Sequence, residues 1–112
     1  AGLTFASVKN QAGNFIAPSP SSASAAGTTV TLAPDLTFHT AWSSNPQAYP
    51  ITAQSWVLMY QKQSNANTTK MLKAYTSYLI GDGQKLLTTL GYAPLPSNID
   101  SKAKAQLSKI GS

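Results

Sequence analysis

The sequence contains no cysteine, no arginine and no glutamate. Without cysteine there can be no disulfide and no thiolate metal site, which suits a reducing cytosol and a bridge-free exported protein equally, so cysteine usage does not place the chain. Without arginine the chain lacks the planar fork that grips a phosphate or carboxylate through two parallel hydrogen bonds. Charge is scarce, at 10% of the residues, and its balance is +5. All eight cations are lysines, at 9, 62, 70, 73, 85, 102, 104 and 109, and the three anions are Asp35, Asp82 and Asp100. These lysines form no stripe and are not interleaved with aromatic platforms, which argues against nucleic acid as a partner. No apolar run approaches the roughly 18 residues of a membrane span. The opening Ala1-Gly2-Leu3-Thr4 has neither a basic nor an apolar leader region, so an export signal is expected outside this chain.

What is present fits a folded chain. Its 112 residues suit one domain, able to bury roughly two-thirds of its unfolded surface. Serine and threonine fill 26 positions and alanine 16, a composition low in charge yet not that of a disordered segment.

Local signals divide the chain. Leu3 to Val8 reads as a short strand, Asn10 to Asn14 as a turn cluster, and Phe15-Ile16 as its return, a β-turn-β start. Ser19 as cap, Pro20 at the first helical position and Gly27 beyond the end predict a two-turn helix. From 28 to 50 no period persists, and Pro34, Pro46 and Pro50 punctuate a long connection. So long a structureless stretch is expected to pack against something or to carry a function. The unbroken run Trp56-Val57-Leu58-Met59-Tyr60 predicts a strand buried on both faces.

Beyond it, Asn67 or Thr68 can cap a helix whose Met71, Leu72, Tyr75, Tyr78 and Leu79 fall at helical spacing and read as core, with Gly81 at its end. Asp82 can start a short helix striped by Leu86, Leu87 and Leu90, and Ser97 can cap a last one with Ile99, Ala103, Leu107 and Ile110 on one face. A strand apolar on both faces needs strands beside it, yet one other convincing strand exists, and two strands make no stable sheet. The chain is therefore expected to be part of a larger α/β protein, completed by further sequence or by a companion chain.

No constellation for catalysis emerges. His39 is the lone histidine and no Asp lies within three positions of it, which favours a surface or cleft-wall role. One histidine with three scattered aspartates is too few for a metal, and none is expected. No Gly-x-Ser-x-Gly elbow occurs, so no enzyme and no cofactor are expected. The nearest phosphate-loop candidate, Gly81-Asp82-Gly83-Gln84-Lys85, puts a carboxylate where an anion would have to sit; capping is the better reading. Trp42 and Tyr49 lie in the long connection, where a large aromatic serves as lid, hinge or interface anchor as readily as packing.

Several segments in order carry a resemblance. Val8-Lys9-Asn10, Ala12-Gly13-Asn14-Phe15-Ile16-Ala17-Pro18-Ser19, Ala48-Tyr49-Pro50-Ile51-Thr52, Gly83-Gln84 and Gly91-Tyr92-Ala93-Pro94-Leu95-Pro96 together resemble the C-terminal portion of phosphate-binding proteins of the PstS type. The match runs through nearly the whole chain, and Gly-Tyr-x-Pro-Leu-Pro after a Gly-Gln helix is its most specific piece. The connection 28–47, rich in Thr and Ser, matches only loosely.

The resemblance implies a two-lobed periplasmic-binding-protein-like (type II) α/β clamp that traps inorganic phosphate and delivers it to an ABC permease outside the cytoplasm. It implies that 1–48 belong to the second lobe, that Tyr49, Pro50, Ile51 and Thr52 form a hinge crossing, and that 53–112 belong to the first lobe; Trp42, as an aromatic in the long connection, is expected beside them on the cleft wall. It also implies that the phosphate ligands lie upstream, so that this segment holds none. An alternative reading keeps the fold but turns the Lys-bearing surface, with Lys102, Lys104 and Lys109, toward a macromolecular partner in an extracellular interaction or signalling role.

Overall fold

The computed structural model describes residues 4–111. Its elements are β1 (Val8–Lys9), β2 (Phe15–Ile16), α1 (Pro20–Ala26), α2 (Ala66–Leu79), α3 (Gln84–Leu87) and α4 (Ser97–Gln106), the last running into a 3-10 turn, Leu107–Lys109. The arrangement is a mixed one, helices plus one small sheet, compatible with part of a periplasmic-binding-protein-like fold.

The hairpin and α1 follow directly from their residues. β1 and β2 pair antiparallel, Val8 opposite Ile16 and Lys9 opposite Phe15. Between them the Asn10 amide donates to the Asn14 carbonyl at 2.8 Å, and Gly13 adopts φ +88°, a conformation glycine reaches without Cβ strain. Leu3 of the expected strand lies outside the described residues, and pairing begins only at Val8. Ser19 and Ser22 form a reciprocal cap on α1, each side chain accepting the other's backbone N–H, with Pro20 in the first turn.

α2 is capped by Asn65, whose Oδ1 accepts the Thr68 amide at 2.9 Å, and not by Asn67 or Thr68. Pro96 precedes α4, so Ser97 is its first helical residue and supplies no cap. Gly83 precedes α3, and no side chain caps that helix; the Asp82 carboxylate instead takes the Lys85 ammonium. The last helix keeps its expected face, with Ile99 and Ile110 buried and Ala103 and Leu107 half-buried.

The expected doubly buried strand does not form. Residues 52–60 have neither helical nor paired-strand structure, and Trp56, Val57, Leu58 and Tyr60 are exposed. The reason is the one their pattern raised: among the described residues no second strand lies alongside to take their backbone hydrogen bonds. The same holds for the helical stripes read as core. Met71, Tyr75 and Tyr78 are exposed on α2, as are Leu86 and Leu90, while Leu72 and Leu79 are half-buried.

Among the described residues the buried apolar ones, Ala26, Phe38, Ala48, Ile99 and Ile110, all come from the first fifty residues or from α4 and the turn after it, and these two parts meet just beyond α1. There Gly27 comes so close to the start of α4 that a Cβ would lie 3.0 Å from Pro96 Cγ and 3.1 Å from Ile99 Cδ1. Asn98 Nδ2 donates to the Gly27 carbonyl at 3.1 Å, and Gln106 Nε2 to that of Pro34 at 2.9 Å. The radius of gyration is 16.2 Å, against about 13 Å for a compact chain of this length.

Candidate hinge and cleft-wall site

The segment 48–56 is held at its start by polar contacts of long sequence range. Asn10, 4% exposed, donates through Nδ2 to the carbonyls of Pro46 at 2.9 Å and Ala48 at 3.2 Å. Asn14 Nδ2 adds a bond to the Pro46 carbonyl at 3.0 Å. The Tyr49 amide donates to the Ser22 carbonyl in α1 at 3.1 Å, and Pro50 is buried directly after it. The hairpin and the first helix thus fix the chain as it enters Tyr49-Pro50-Ile51-Thr52.

The exit is fixed differently. The Thr40 hydroxyl lies within donating distance of the Thr52 carbonyl, at 3.0 Å, and of Gln54 Oε1, at 3.2 Å. Gln54 Nε2 donates to the Phe38 carbonyl. Phe38 meets Trp56 edge to face with ring centroids 5.2 Å apart. Side chains of Thr40 and Gln54 therefore clasp 38–40 to 52–56. The Thr52 hydroxyl is enclosed but has no hydrogen-bond partner, whereas Ile51 is exposed.

Trp42 stands apart from this clasp. It is exposed, its backbone lies in the left-handed region at φ +59°, and among the described residues no hydrogen bond or ring stacking joins it to 49–52. A non-glycine residue there is strained, as is Leu36 at φ +70° in the same connection. The connection is organised by turns. Asp35 Oδ1 accepts the Thr37 amide at 2.9 Å and the Thr37 hydroxyl at 2.7 Å, bonds that hold its carboxyl below the ordinary carboxylate range.

Four amides of the phosphate-loop candidate are already engaged. The amides of Gly81 and Gly83 go to the Tyr78 carbonyl, and those of Gln84 and Lys85 go to Gly81 and Asp82. Asp82 bonds the Lys85 ammonium at 2.6 Å, which lowers the carboxyl and raises the ammonium, both exposed. The turn does hold something else. Gln84 Oε1 accepts the Leu95 amide at 2.8 Å while its Nε2 donates to the Leu79 carbonyl at 2.6 Å. One side chain so joins the end of α2 to Gly91-Tyr92-Ala93-Pro94-Leu95-Pro96.

Other possibilities are bare. His39 is exposed, and among the described residues no group of His, Cys, Asp or Glu could hold a metal. A shallow groove of about 600 Å³ at the start of α2 carries Lys62 and Lys70, and another of about 380 Å³ lies beside Ser19, Ser22 and Gln47. No helix among the described residues is long and apolar enough to cross a membrane. Asn10 reads in the sequence only as part of a turn, and Phe38, Thr40 and Gln54 carry no signal there, because the partners they hold at this site lie 12 to 38 residues away and leave no local pattern.

No protein-family model matches the chain. Among curated proteins it is similar to the phosphate-binding protein PstS of Haemophilus influenzae, 30% identical over 116 aligned residues, covering 93% of this chain and 32% of that protein. The phosphate-binding protein PstS of Pasteurella multocida is 29% identical, covering 93% of this chain and 31% of its own length. That of Xylella fastidiosa is 28% identical over 92% of this chain and 29% of its own. The chain spans about a third of the length of these curated relatives. The resemblance carried by the motifs thus holds along nearly the whole chain, and is consistent with a C-terminal segment of such a protein.

Proposed function

We propose that this chain is the C-terminal segment of an extracytoplasmic solute-binding protein that captures inorganic phosphate for import by an ABC permease. The observation that carries the reading is the similarity to phosphate-binding proteins over 93% of the chain. In this reading the segment supplies scaffold and hinge, and the phosphate ligands lie in the remainder of the protein. The absence of any arginine and the engaged amides of Gly81, Gly83, Gln84 and Lys85 support that division.

Residues 1–48 would then belong to the second lobe of a type II clamp and 53–112 to the first, with closure by rotation about Tyr49-Pro50-Ile51-Thr52. Support for a hinge there comes from exposed Ile51, which lies between an entry held by Asn10 Nδ2 and the Ser22 carbonyl and an exit held by the side chains of Thr40 and Gln54. Trp42 would face the cleft from the strained connection. The work of such a protein is binding and release, with no catalysis and no cofactor.

Calorimetric titration of the full-length protein with phosphate tests the reading. Saturable binding at micromolar phosphate is expected, and heat no greater than dilution would remove the transport role. The division of labour has its own check. Replacing the lysines of this segment one at a time should leave the phosphate Kd within about twofold, since surface charges contribute little; a loss of tenfold or more would move the ligand set into this segment.

A further inference from the structure

The contact between α4 and the chain just after α1 joins residues that the proposed function assigns to different lobes. Asn98 Nδ2 donates to the carbonyls of Gly27 at 3.1 Å and Thr28 at 3.3 Å, and Gln106 Nε2 donates to that of Pro34 at 2.9 Å. Apolar packing closes around these bonds. Ala26 and Ile99 are buried there, and a Cβ on Gly27 would fall 3.0 Å from Pro96 Cγ and 3.1 Å from Ile99 Cδ1, so the two surfaces meet without room for a side chain between them. The position of the contact gives it leverage. The Ser22 carbonyl holds the Tyr49 amide at the entry of the crossing, and Gly27 lies five residues further on, at the other end of α1, roughly 7.5 Å along the helix axis. α1 is thus an arm between the crossing and the contact. The Thr40 and Gln54 bonds, by comparison, lie at the crossing itself.

We infer that Asn98 and Gln106 form a latch between the lobes, made when the clamp closes and broken when it opens, which sets how tightly and for how long phosphate is held. The inference rests on the proposed function for the two lobes and the hinge. A rotation about Tyr49-Pro50-Ile51-Thr52 that separates the lobes carries Gly27 and Pro34 away from α4, and side-chain hydrogen bonds are lost once stretched past about 3.5 Å. The bonds at the crossing turn with little displacement, so they survive the motion that the latch does not. Any contact present in the closed state and absent from the open one shifts the balance toward closure. While the closed state is the minor one without ligand, the apparent affinity for phosphate rises by the same factor. Asn98 and Gln106 are therefore positioning residues, acting on phosphate only through the lobes.

Titration of the full-length protein and of its Asn98→Ala, Gln106→Ala double variant with inorganic phosphate tests the inference. Both changes replace a neutral side chain by a neutral one, so the charge near the anion is unaltered. The variant is expected to keep its stoichiometry while its Kd weakens by about fivefold or more, through faster dissociation in stopped flow. A Kd and a dissociation rate within about twofold of the wild type would overturn the latch and leave the phosphate reading standing. A lowered stoichiometry at unchanged Kd would make the two residues structural only and overturn it as well. Heat no greater than dilution for the wild type would remove the phosphate reading, and the latch with it. A second measurement needs no variant: in hydrogen exchange of the wild type, peptides covering 26–34 and 96–106 should both slow by about tenfold on adding phosphate. Unchanged exchange in either peptide would overturn the latch.

Discussion

Residues 4–50 with α4, and residues 51–92, solve the same folding problem in opposite ways. The first part has little apolar bulk and closes itself with polar side chains: Asn10, Asn98 and Gln106 each reach a backbone carbonyl more than thirty residues away. The second part has the apolar bulk and leaves it uncovered. Of the fourteen large hydrophobic residues that are exposed among the described residues, only Phe5, Phe15 and Trp42 precede residue 51, and the other eleven lie between Ile51 and Tyr92. None of the buried apolar residues comes from 51–92. Hydrogen-bonding side chains need a specific partner at a fixed distance, so a region built on them is complete when the partners are present. Apolar surface needs only cover, so a region rich in it stays incomplete until a second layer arrives.

The comparison breaks most visibly at Leu58. In the full-length protein, Leu58→Asp should cost roughly 3 kcal/mol or more, the scale of an unpaired buried charge, as measured by denaturant unfolding. A change within a few tenths would mean that the second region is uncovered there too. The first region is tested at Asn10. Asn10→Ala strips the Pro46 and Ala48 carbonyls of a buried donor, and a loss of about 1–3 kcal/mol is expected in the same assay. An effect near zero would show that solvent replaces the clip and that the first region is not closed by such bonds.

The smallest effect concerns pH. The Thr37 amide and hydroxyl depress the Asp35 carboxyl, so its folded value lies below the unfolded one. Its contribution is then complete above the ordinary value of 3.8 and is lost as pH falls through the lower folded value. Amide chemical shifts of residues 35–37 followed through acid titration should move below that value. Asp35→Asn should abolish the transition, and a transition that survives would assign it to another group.

Legibility in the sequence follows the same divide. The hairpin and α1 were readable because their determinants are adjacent: Gly13 in the turn, Ser19 and Pro20 at the helix start, Gly27 at its end. α2 was readable by its period, but its cap lay at Asn65, two residues before the nearest candidate, in a stretch where several polar residues could serve. The apolar character of the run Trp56–Tyr60 alone predicts a buried strand, but pairing is what a run of residues cannot carry in itself. At the candidate site, Tyr49, Pro50, Ile51, Thr52 and Trp42 stood out through a motif and an aromatic in a long connection. The clasp formed by Phe38, Thr40, Gln54 and Trp56 depends on folding two segments together, and no spacing announces it.

The amide of Gln84 makes a single closed unit of what looks like two separate signatures. Because its two ends are engaged at Leu79 and Leu95 at once, the Gly-Gln turn and the Gly-Tyr-x-Pro-Leu-Pro stretch stand or fall together. A chain that kept the glutamine but lost the following stretch would leave an acceptor without its donor. One that kept the stretch but shortened the side chain to asparagine would fall a methylene short of bridging both carbonyl and amide. Grafting this turn into another scaffold would therefore require moving residues 79–96 as one piece.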